Sequence, residues 1–408
     1  MRLTIERLGH LGDGIAEGPV FVPLTLPGEV VEGDVEGGRI EAPKIVTPSP
    51  DRVAPPCRHF RACGGCSLMH GSDGFVADWK AEVVRIALAA QGIEAAFRPV
   101  MTSHARSRRR ATLAGRRTKK GAIVGFHGRA SGTIVEIPDC RLLHPDVVAM
   151  LPVLEEVTVI GASRKGEVDL ALTLGDAGLD LAVSGAKPLE QSLFQEIAAL
   201  ADRADLARVS WNGEVVATRR PPAQVFARAR VVPPPGAFLQ ATAGGEAALV
   251  DAMREIAGEA RRVADLFAGC GTFALPLAER AEVHAVEGEG SMTAALEQGW
   301  RRAEGLKRVT VETRDLFRRP LLADEFKGTE CIVIDPPRSG AEAQSREIAA
   351  SRAGLVGAVS CNPVTFARDA RILADAGFVL DWVQVVDQFR WSPHVELAAR
   401  LSRVITGS

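Results

Sequence analysis

The sequence predicts an α/β protein: a small N-terminal β-barrel, a mixed α/β central part and a doubly wound sheet at the C-terminus. From Arg261 onward, strand-like and helical segments alternate, and a glycine loop follows the first strand. Short strands with glycines at their turns occupy the N-terminal part. A run of prolines ending at Pro235 indicates a domain boundary there. We therefore expect domains at 1–50, 51–235 and 236–408.

Composition narrows the class of protein. The chain has 408 residues, of which 46% are apolar and 25% charged, as is ordinary for a globular protein. Its N-terminus lacks the apolar region of a secretory signal, and no stretch approaches the ~20 apolar residues of a membrane span. Seven cysteines in such a chain do not suggest a disulfide scaffold. We expect a cytoplasmic monomer that does not contact the membrane.

The predicted barrel is the first element. Apolar and polar residues alternate in Leu3–Leu8 and in Val20–Leu26, which is typical of half-buried strands. Residues 1–50 carry eight acidic and four basic side chains, so their charge does not favour nucleic acid. A proline-rich linker, Pro48–Pro56, separates this element from the next.

A cysteine group follows the linker. Cys57, Cys63 and Cys66 form a Cys-x5-Cys-x2-Cys pattern, and Cys140 is a distant fourth. Three thiols within ten residues favour a metal ion or a cluster. Zinc sites more often contain two separated Cys-x2-Cys pairs, so this spacing favours an iron–sulfur cluster over zinc. Either is favoured over four unrelated cysteines.

Residues 101–130 form a basic segment. They contain seven Arg, two Lys and no acidic residue, whereas the whole chain has a net charge of −2. Concentrated positive charge on a near-neutral chain points to a polyanion, although a solvated charged face is the alternative. The segment reads as strands at Arg109–Leu113, Ala122–His127 and Thr133–Ile137. We expect RNA phosphate contacts from Arg106, Arg108, Arg109, Arg110, Arg116, Arg117, Lys119 and Lys120.

The C-terminal part begins with a nucleotide-binding pattern. The strand Val263–Phe267 leads into a tight loop containing Gly269 and Gly271, and the next strand ends in Glu287. This pattern also satisfies the dinucleotide fingerprint, so an NAD enzyme is one alternative. The acid after the second strand does not discriminate, because it binds ribose hydroxyls in either case.

Two later strands each end in a chemically active residue. Asp335, followed by two prolines, closes the predicted strand Cys331–Ile334, and Cys361 follows the strand Gly354–Val359. Open α/β sheets bind ligands at the carboxyl ends of their strands, so both side chains should face that crevice. A buried structural cysteine is the alternative for Cys361.

Four motifs in this order resemble the S-adenosylmethionine-dependent RNA uracil-5-methyltransferases: Asp265–Phe273, Asp335–Ala341, Ser360–Asp369 and His394–Glu396. The four-cysteine pattern resembles the 4Fe-4S ligands of the branch acting on 23S ribosomal RNA, and the N-terminal barrel resembles a TRAM domain. The resemblance therefore implies a class I methyltransferase sheet, S-adenosyl-L-methionine and a 4Fe-4S cluster as cofactors, and large-subunit ribosomal RNA as the partner. A tRNA-directed relative is the nearest alternative.

The same resemblance implies the cofactor contacts. Thr272 stands where the family usually has Asn, which changes a polar group near the cofactor. The residues expected to contact S-adenosylmethionine are Gln240, Phe267, Gly269, Gly271, Thr272, Glu287, Asp315 and Asp335.

The resemblance also implies covalent catalysis. The thiolate of Cys361 adds to carbon six of uracil, carbon five takes the methyl group, and Glu396 then removes the proton from carbon five. Asp387 and His394 are alternative bases. An ionised thiol calls for an electropositive or helix-N-terminal setting, and the target base must leave its stack. A non-enzymatic RNA-binding module would need the basic segment but not Cys361.

Overall fold

A computed structural model describes residues 1–164 and 166–403. Its N-terminal part is an antiparallel five-stranded sheet in the order β3-β2-β1-β4-β5. The strands are β1 (Arg2–Leu8), β2 (Gly14–Ala16), β3 (Val20–Val22), β4 (Val30–Glu32) and β5 (Lys44–Thr47). Phe21 of β3 also bridges Arg39, which lies between β4 and β5. The sheet therefore curls, and it encloses the buried side chains of Ile5, Val22 and Val31.

Residues 73–102 pack with the C-terminal sheet, although the sequence assigns them to the central part. They form α1 (Asp73–Ala89), β6 (Ala96–Phe97) and β7 (Met101–Thr102). Ser72 caps α1 by accepting a hydrogen bond from the Phe75 N–H. Both short strands pair in parallel with the later strand Val379–Asp387.

The central part is built on a seven-stranded sheet in the order β10-β9-β8-β11-β12-β13-β14, followed by the separate hairpin β15–β16. Its basic hairpin, β8–β9, is antiparallel, as the sequence predicts. The elements are β8 (Arg110–Arg117), β9 (Ala122–His127), β10 (Ile134–Glu136), α2 (Pro145–Ala149), α3 (Leu151–Gly161), β11 (Glu167–Gly175), β12 (Gly178–Ser184), α4 (Gln191–Arg203), β13 (Arg208–Trp211), β14 (Glu214–Thr218), β15 (Gln224–Phe226) and β16 (Ala229–Val231).

The C-terminal part is the predicted doubly wound sheet, with helices on both faces. Its elements are α5 (Ala243–Ala257), β17 (Arg262–Leu266), α6 (Ala274–Leu277), β18 (Glu282–Glu287), α7 (Gly290–Arg302), β19 (Val309–Thr313), β20 (Cys331–Ile334), α8 (Glu342–Ala350), β21 (Leu355–Ser360), α9 (Pro363–Asp375), β22 (Val379–Asp387) and β23 (Leu397–Ser402). The strand order is β19-β18-β17-β20-β21-β23-β22-β6.

The last strand distinguishes this sheet from the NAD-binding alternative. β23 runs antiparallel between β21 and β22, whereas the dinucleotide-binding order is 3-2-1-4-5-6. The short connection 388–396 allows only an antiparallel return, because a parallel crossover needs a dozen or more residues. The sequence predicts this strand at Leu397–Val404, and Val404 lies outside the described residues.

None of the helices in the described part of the chain combines the length and apolarity that a bilayer crossing requires. The predicted cytoplasmic location and monomeric state remain predictions.

Candidate active site

A cavity of about 470 Å³ opens at the carboxyl ends of β17, β18, β20 and β21. This is where open α/β sheets bind ligands, and the volume lies in the range of small-molecule sites. Nine of the ten residues predicted for cofactor binding and catalysis line it: Gln240, Phe267, Gly269, Thr272, Glu287, Asp315, Asp335, Cys361 and Glu396.

The tenth residue, Gly271, does not line the cavity but lies in the glycine loop and packs against α6. Its φ is +94°, and a Cβ at this position would lie 2.8 Å from Leu275 Cδ1. Gly269, with φ +54°, donates its backbone N–H to Glu287 Oε2 at 3.0 Å. The glycines therefore let the loop turn tightly, and Glu287 fastens it to the neighbouring strand.

Two buried carboxyl groups face the same cavity. Burial raises the pKa of Asp335 and of Glu396 well above the usual carboxyl range, and the charge of Asp335 raises that of Glu396 further. Two like charges lining one cavity repel each other, so ionising one carboxyl makes the other harder to ionise. At neutral pH, the two groups together therefore carry less than two full negative charges.

Cys361 lies on a constrained corner between β21 and α9. Asn362 caps α9 by accepting a hydrogen bond from the Val364 N–H at 3.1 Å, and its side-chain amide donates to the Arg338 carbonyl at 2.8 Å. Burial raises the pKa of the Cys361 thiol to about 11, with Glu396 as the next cause. Cys361 thus lies just before the N-terminus of α9, one of the two expected settings, whereas burial and the nearby acids Glu396 and Asp335 outweigh Arg338 in their effect on its pKa.

The structure separates the three candidate bases. Asp387 is buried against Lys80, whose Nζ lies 2.5 Å from its Oδ1. His394 accepts a hydrogen bond from Arg338 at 2.8 Å, and burial lowers its pKa to about 4. Glu396 instead lines the cavity together with Cys361.

Sequence reasoning missed Gln388, the residue after β22. Its Nε2 donates to Gln240 Oε1 at 2.5 Å and to Glu396 Oε2 at 3.3 Å. Its Oε1 accepts the Ala241 N–H at 2.7 Å. A glutamine in a loop forms part of no motif that names a chemistry, so only its three-dimensional contacts identify it.

The four predicted cluster ligands lie together in the central part. Cys57, Cys63, Cys66 and Cys140 line one small cavity with Phe60, Met69 and Phe126 among the other side chains. Burial raises the pKa of Cys63, Cys66 and Cys140, and neighbouring thiols add to the increase. Within residues 1–164 and 166–403, no three potential ligands converge as a single metal ion requires. The 4Fe-4S cluster stays a prediction.

The basic segment divides into two sets. The first set is engaged within the protein: Arg109 pairs with Glu246 at 2.6 Å, the half-exposed Arg116 pairs with Glu167, and the guanidinium of Arg108 is buried. Arg110 lies over the exposed ring of Phe238 at the mouth of the larger cavity. The exposed set consists of Arg106, Arg117, Lys119 and Lys120.

The antiparallel last strand, the glycine loop and the acid-lined cavity define a class I S-adenosylmethionine-dependent methyltransferase. The tRNA (Uracil-5-)-methyltransferase family model matches residues 232–404. An uncharacterized RNA methyltransferase from Brucella suis is 44% identical over 405 residues, covering 98% of each chain. A 23S rRNA (uracil(1939)-C(5))-methyltransferase from Halomonas elongata is 36% identical, covering 97% of this chain and 88% of that protein.

A solved structure shares the fold. The Pyrococcus abyssi tRNA (uracil-54, C5)-methyltransferase, in complex with S-adenosyl-L-homocysteine, superposes with a TM-score of 0.76 at 22% identity. The match covers 98% of this chain and 99% of that one. The chain belongs to the RNA uracil-5-methyltransferase family, and it is an S-adenosylmethionine-dependent enzyme that acts on RNA.

Proposed function

We propose that this enzyme forms 5-methyluridine in 23S ribosomal RNA, with Cys361 as the nucleophile and Glu396 as the base. The observation that carries the proposal is the single cavity lined by Cys361, Asp335 and Glu396 beside a glycine loop. The 23S rRNA enzyme from Halomonas elongata supports the choice of substrate, because its similarity extends over nearly the whole chain.

The residues of the cavity fit S-adenosylmethionine. A space of about 470 Å³ is of the size that small-molecule ligands occupy, and Glu287 lies at the strand end where nucleotide ribose hydroxyls are bound. When bound, the cofactor supplies the methyl group and a positive sulfonium charge that favours ionised carboxyls and an ionised thiol nearby.

The chain's own groups then act in sequence. Cys361 releases its proton to solvent, and its thiolate bonds to carbon six of an extruded uracil. The π pair of the carbon five–carbon six bond moves onto the carbonyl at carbon four as an enolate, which makes carbon five nucleophilic. After carbon five is methylated, Glu396 takes the remaining proton from that carbon. The electron pair of the broken C–H bond reforms the ring double bond, and the Cys361 thiolate leaves.

The central cysteines support the ribosomal assignment. We propose that Cys57, Cys63, Cys66 and Cys140 hold a 4Fe-4S cluster, because a polynuclear cluster needs thiols placed around a space rather than around one point. The soft thiol donor set and the apolar lining fit such a group. The curled N-terminal sheet is proposed as a TRAM-like barrel at 1–50, followed by parts at 51–235 and 236–408, with residues 73–102 of the middle part joined to the C-terminal sheet. Ribosomal RNA as the substrate implies a cytoplasmic enzyme.

A tRNA-directed function is the second candidate, because the matching family model and the solved structure both carry tRNA names. Mapping 5-methyluridine in 23S rRNA and in tRNA from a deletion strain separates the two. We expect one site to vanish from 23S rRNA and to return with the wild-type gene but not with Cys361→Ala. Loss confined to tRNA would establish the second candidate, and no loss in either RNA would contradict both.

A further inference from the structure

The side-chain amide of Gln388 is held between the two halves of the proposed active site. The residue is 1% exposed, and its Oε1 accepts the Ala241 backbone N–H at 2.7 Å. Because a backbone N–H can only donate, the Gln388 oxygen must face Ala241 and its NH₂ group must face the other way. The orientation of this amide is therefore fixed by the main chain.

Both remaining partners line the cavity. The NH₂ group of Gln388 donates to Gln240 Oε1 at 2.5 Å and to Glu396 Oε2 at 3.3 Å. Two donors thus meet two acceptors. Since Gln240 uses its oxygen in this contact, its own NH₂ group is left for other partners, and Glu396 keeps Oε1 for a transferred proton.

The surrounding backbone gives Gln388 little room to move. A Cβ on Gly245, in the first turn of α5, would lie 2.6 Å from the Gln388 Cβ. On the chain to either side, Lys80 Nζ contacts Asp387 Oδ1 at 2.5 Å and donates to the Phe389 carbonyl at 3.1 Å. The backbone that carries this amide is therefore held rigidly, as a residue that positions other side chains requires.

We propose that Gln388 is a positioning residue, which orients Gln240 and holds Glu396 ready to accept the proton from carbon five. The proposal rests on the proposed role of Glu396. Gln388 touches neither the substrate nor the cofactor in this role; it acts through its two neighbours. A donor directed at one carboxylate oxygen both fixes the carboxylate and favours its ionised form.

The contact has a defined electrostatic sign. Burial and the charge of Asp335 raise the pKa of Glu396, while the hydrogen bond from Gln388 lowers it. The charge of Arg338 lowers it too, but removing the Gln388 donor weakens the opposition to the two raising effects, so Glu396 would hold its proton to higher pH. A base must be ionised to act, and the acid limb of the kcat profile should therefore move upward.

Gln344 provides a matched control. It is also 1% exposed, but its amide serves only the backbone of Leu321, accepting the N–H at 2.9 Å and donating to the carbonyl at 3.0 Å. Gln344→Met thus removes a buried amide of purely structural role. Gln388→Met removes a comparable amide beside the cavity, and Gln388→Glu keeps the acceptor for Ala241 but places an acid beside Glu396.

The test measures kcat against pH with a uridine-containing RNA, together with thermal midpoints and S-adenosylmethionine binding. We expect Gln388→Met to lower kcat roughly 10- to 100-fold, as for loss of a hydrogen bond to a charged group, with a smaller change in KM for the cofactor. The acid limb of its kcat–pH profile should shift to higher pH, and the limb of Gln388→Glu should shift further in the same direction. Gln344→Met should lose thermal stability and keep the wild-type kcat and limb.

The outcomes are distinct. Suppose the wild type makes 5-methyluridine and the acid limb of the kcat–pH profile of Gln388→Met is the same as in the wild type. That result would overturn the positioning role alone. If Gln388→Met fails to fold, Gln388→Glu decides the matter, since an unshifted limb in that variant overturns the role equally. A folded wild type that makes no 5-methyluridine would overturn the proposed function and this inference with it.

Discussion

Cys361 and the four central cysteines share a chemistry but not a setting. Cys361 opens onto a cavity of about 470 Å³ that is also lined by Asp335 and Glu396. Cys57, Cys63, Cys66 and Cys140 enclose a small space among apolar side chains. The larger cavity has room for a cofactor and a target uracil, whereas the smaller one suits a compact group such as the proposed 4Fe-4S cluster. The surroundings of each sulfur, rather than its burial alone, determine its use.

The charged groups near Cys361 also differ from those near the central cysteines. Burial, Glu396 and Asp335 raise the pKa of Cys361 to about 11 against the opposing charge of Arg338, so its thiol is neutral at pH 7. Burial and the neighbouring thiols raise the pKa of Cys66 as well, but its other charged neighbour is the guanidinium of Arg108, which lowers that pKa. A ligand to iron must be a thiolate at rest, and a cationic neighbour favours that form. The proposed nucleophile needs its charge only during turnover, so acidic neighbours are compatible with its role.

The largest expected effect is on turnover. Cys361→Ala should reduce 5-methyluridine formation by about 10⁴-fold or more, because the covalent route is lost. Cofactor binding, measured by calorimetry, should be retained. Cys331→Ala removes a fully buried thiol from β20 in the same sheet and should leave turnover nearly unchanged. Comparable activity in both variants would erase the distinction between Cys361 and an ordinary buried cysteine.

The second effect falls on the other cysteines. Protein purified anaerobically should contain about four irons, and Cys63→Ser should lose them together with thermal stability. Cys361→Ala should keep its iron, measured by elemental analysis. Stoichiometric zinc without iron in the wild type would contradict the cluster and remove half of the contrast between the two cysteine settings.

A third, smaller effect concerns the ionisation of Cys361. Its raised pKa of about 11 predicts slow alkylation by iodoacetamide at pH 9, where Glu396 is largely ionised. Glu396→Gln removes one negative charge, so the thiol pKa should fall and the rate should rise about three- to tenfold. Glu342→Gln, a surface carboxyl on α8, serves as the control. An unchanged or slower rate in Glu396→Gln would show that the acid does not act on the thiol.

The sequence was sufficient to predict which side chains meet in the cavity when those side chains lie at the ends of strands. Gly269, Glu287, Asp335 and Cys361 each follow a parallel strand, and a common sheet edge brings them to one cavity, so their convergence could be predicted. The ionisation of Cys361 could not, because it depends on how deeply the thiol and its acidic neighbours are buried.

Charge counted along the chain was a poorer guide. Arg109 and Arg116 belong to a segment without acids, yet each pairs with a glutamate distant in sequence, Glu246 and Glu167. Such partners become visible only after folding. Gln388 was missed for a related reason, since its importance lies in contacts with Gln240 and Glu396 rather than in a motif.

The smallest expected effect separates the two sets of basic residues. Arg117→Gln should reduce the slope of log affinity for RNA against log salt by about 0.7 to 0.9 if one phosphate contact is lost. Arg108→Gln should leave that slope nearly unchanged and, if the proposed cluster is present, lower the iron content, because its guanidinium lies beside Cys66 and Cys140. The opposite pattern would show that Arg108 contacts RNA and that it does not support the cysteine group.

The most direct test of the account is a covalent complex at Cys361. Glu396→Gln should attack uracil and transfer the methyl group but fail to release the product, because the proton stays on carbon five. With S-adenosylmethionine carrying a labelled methyl group, we expect a protein–RNA complex that survives denaturation. Mass spectrometry should place the methylated nucleotide on the peptide containing Cys361, and Cys361→Ala should form no such complex. A label on another residue, or no complex when RNA and cofactor are both bound, would contradict the account.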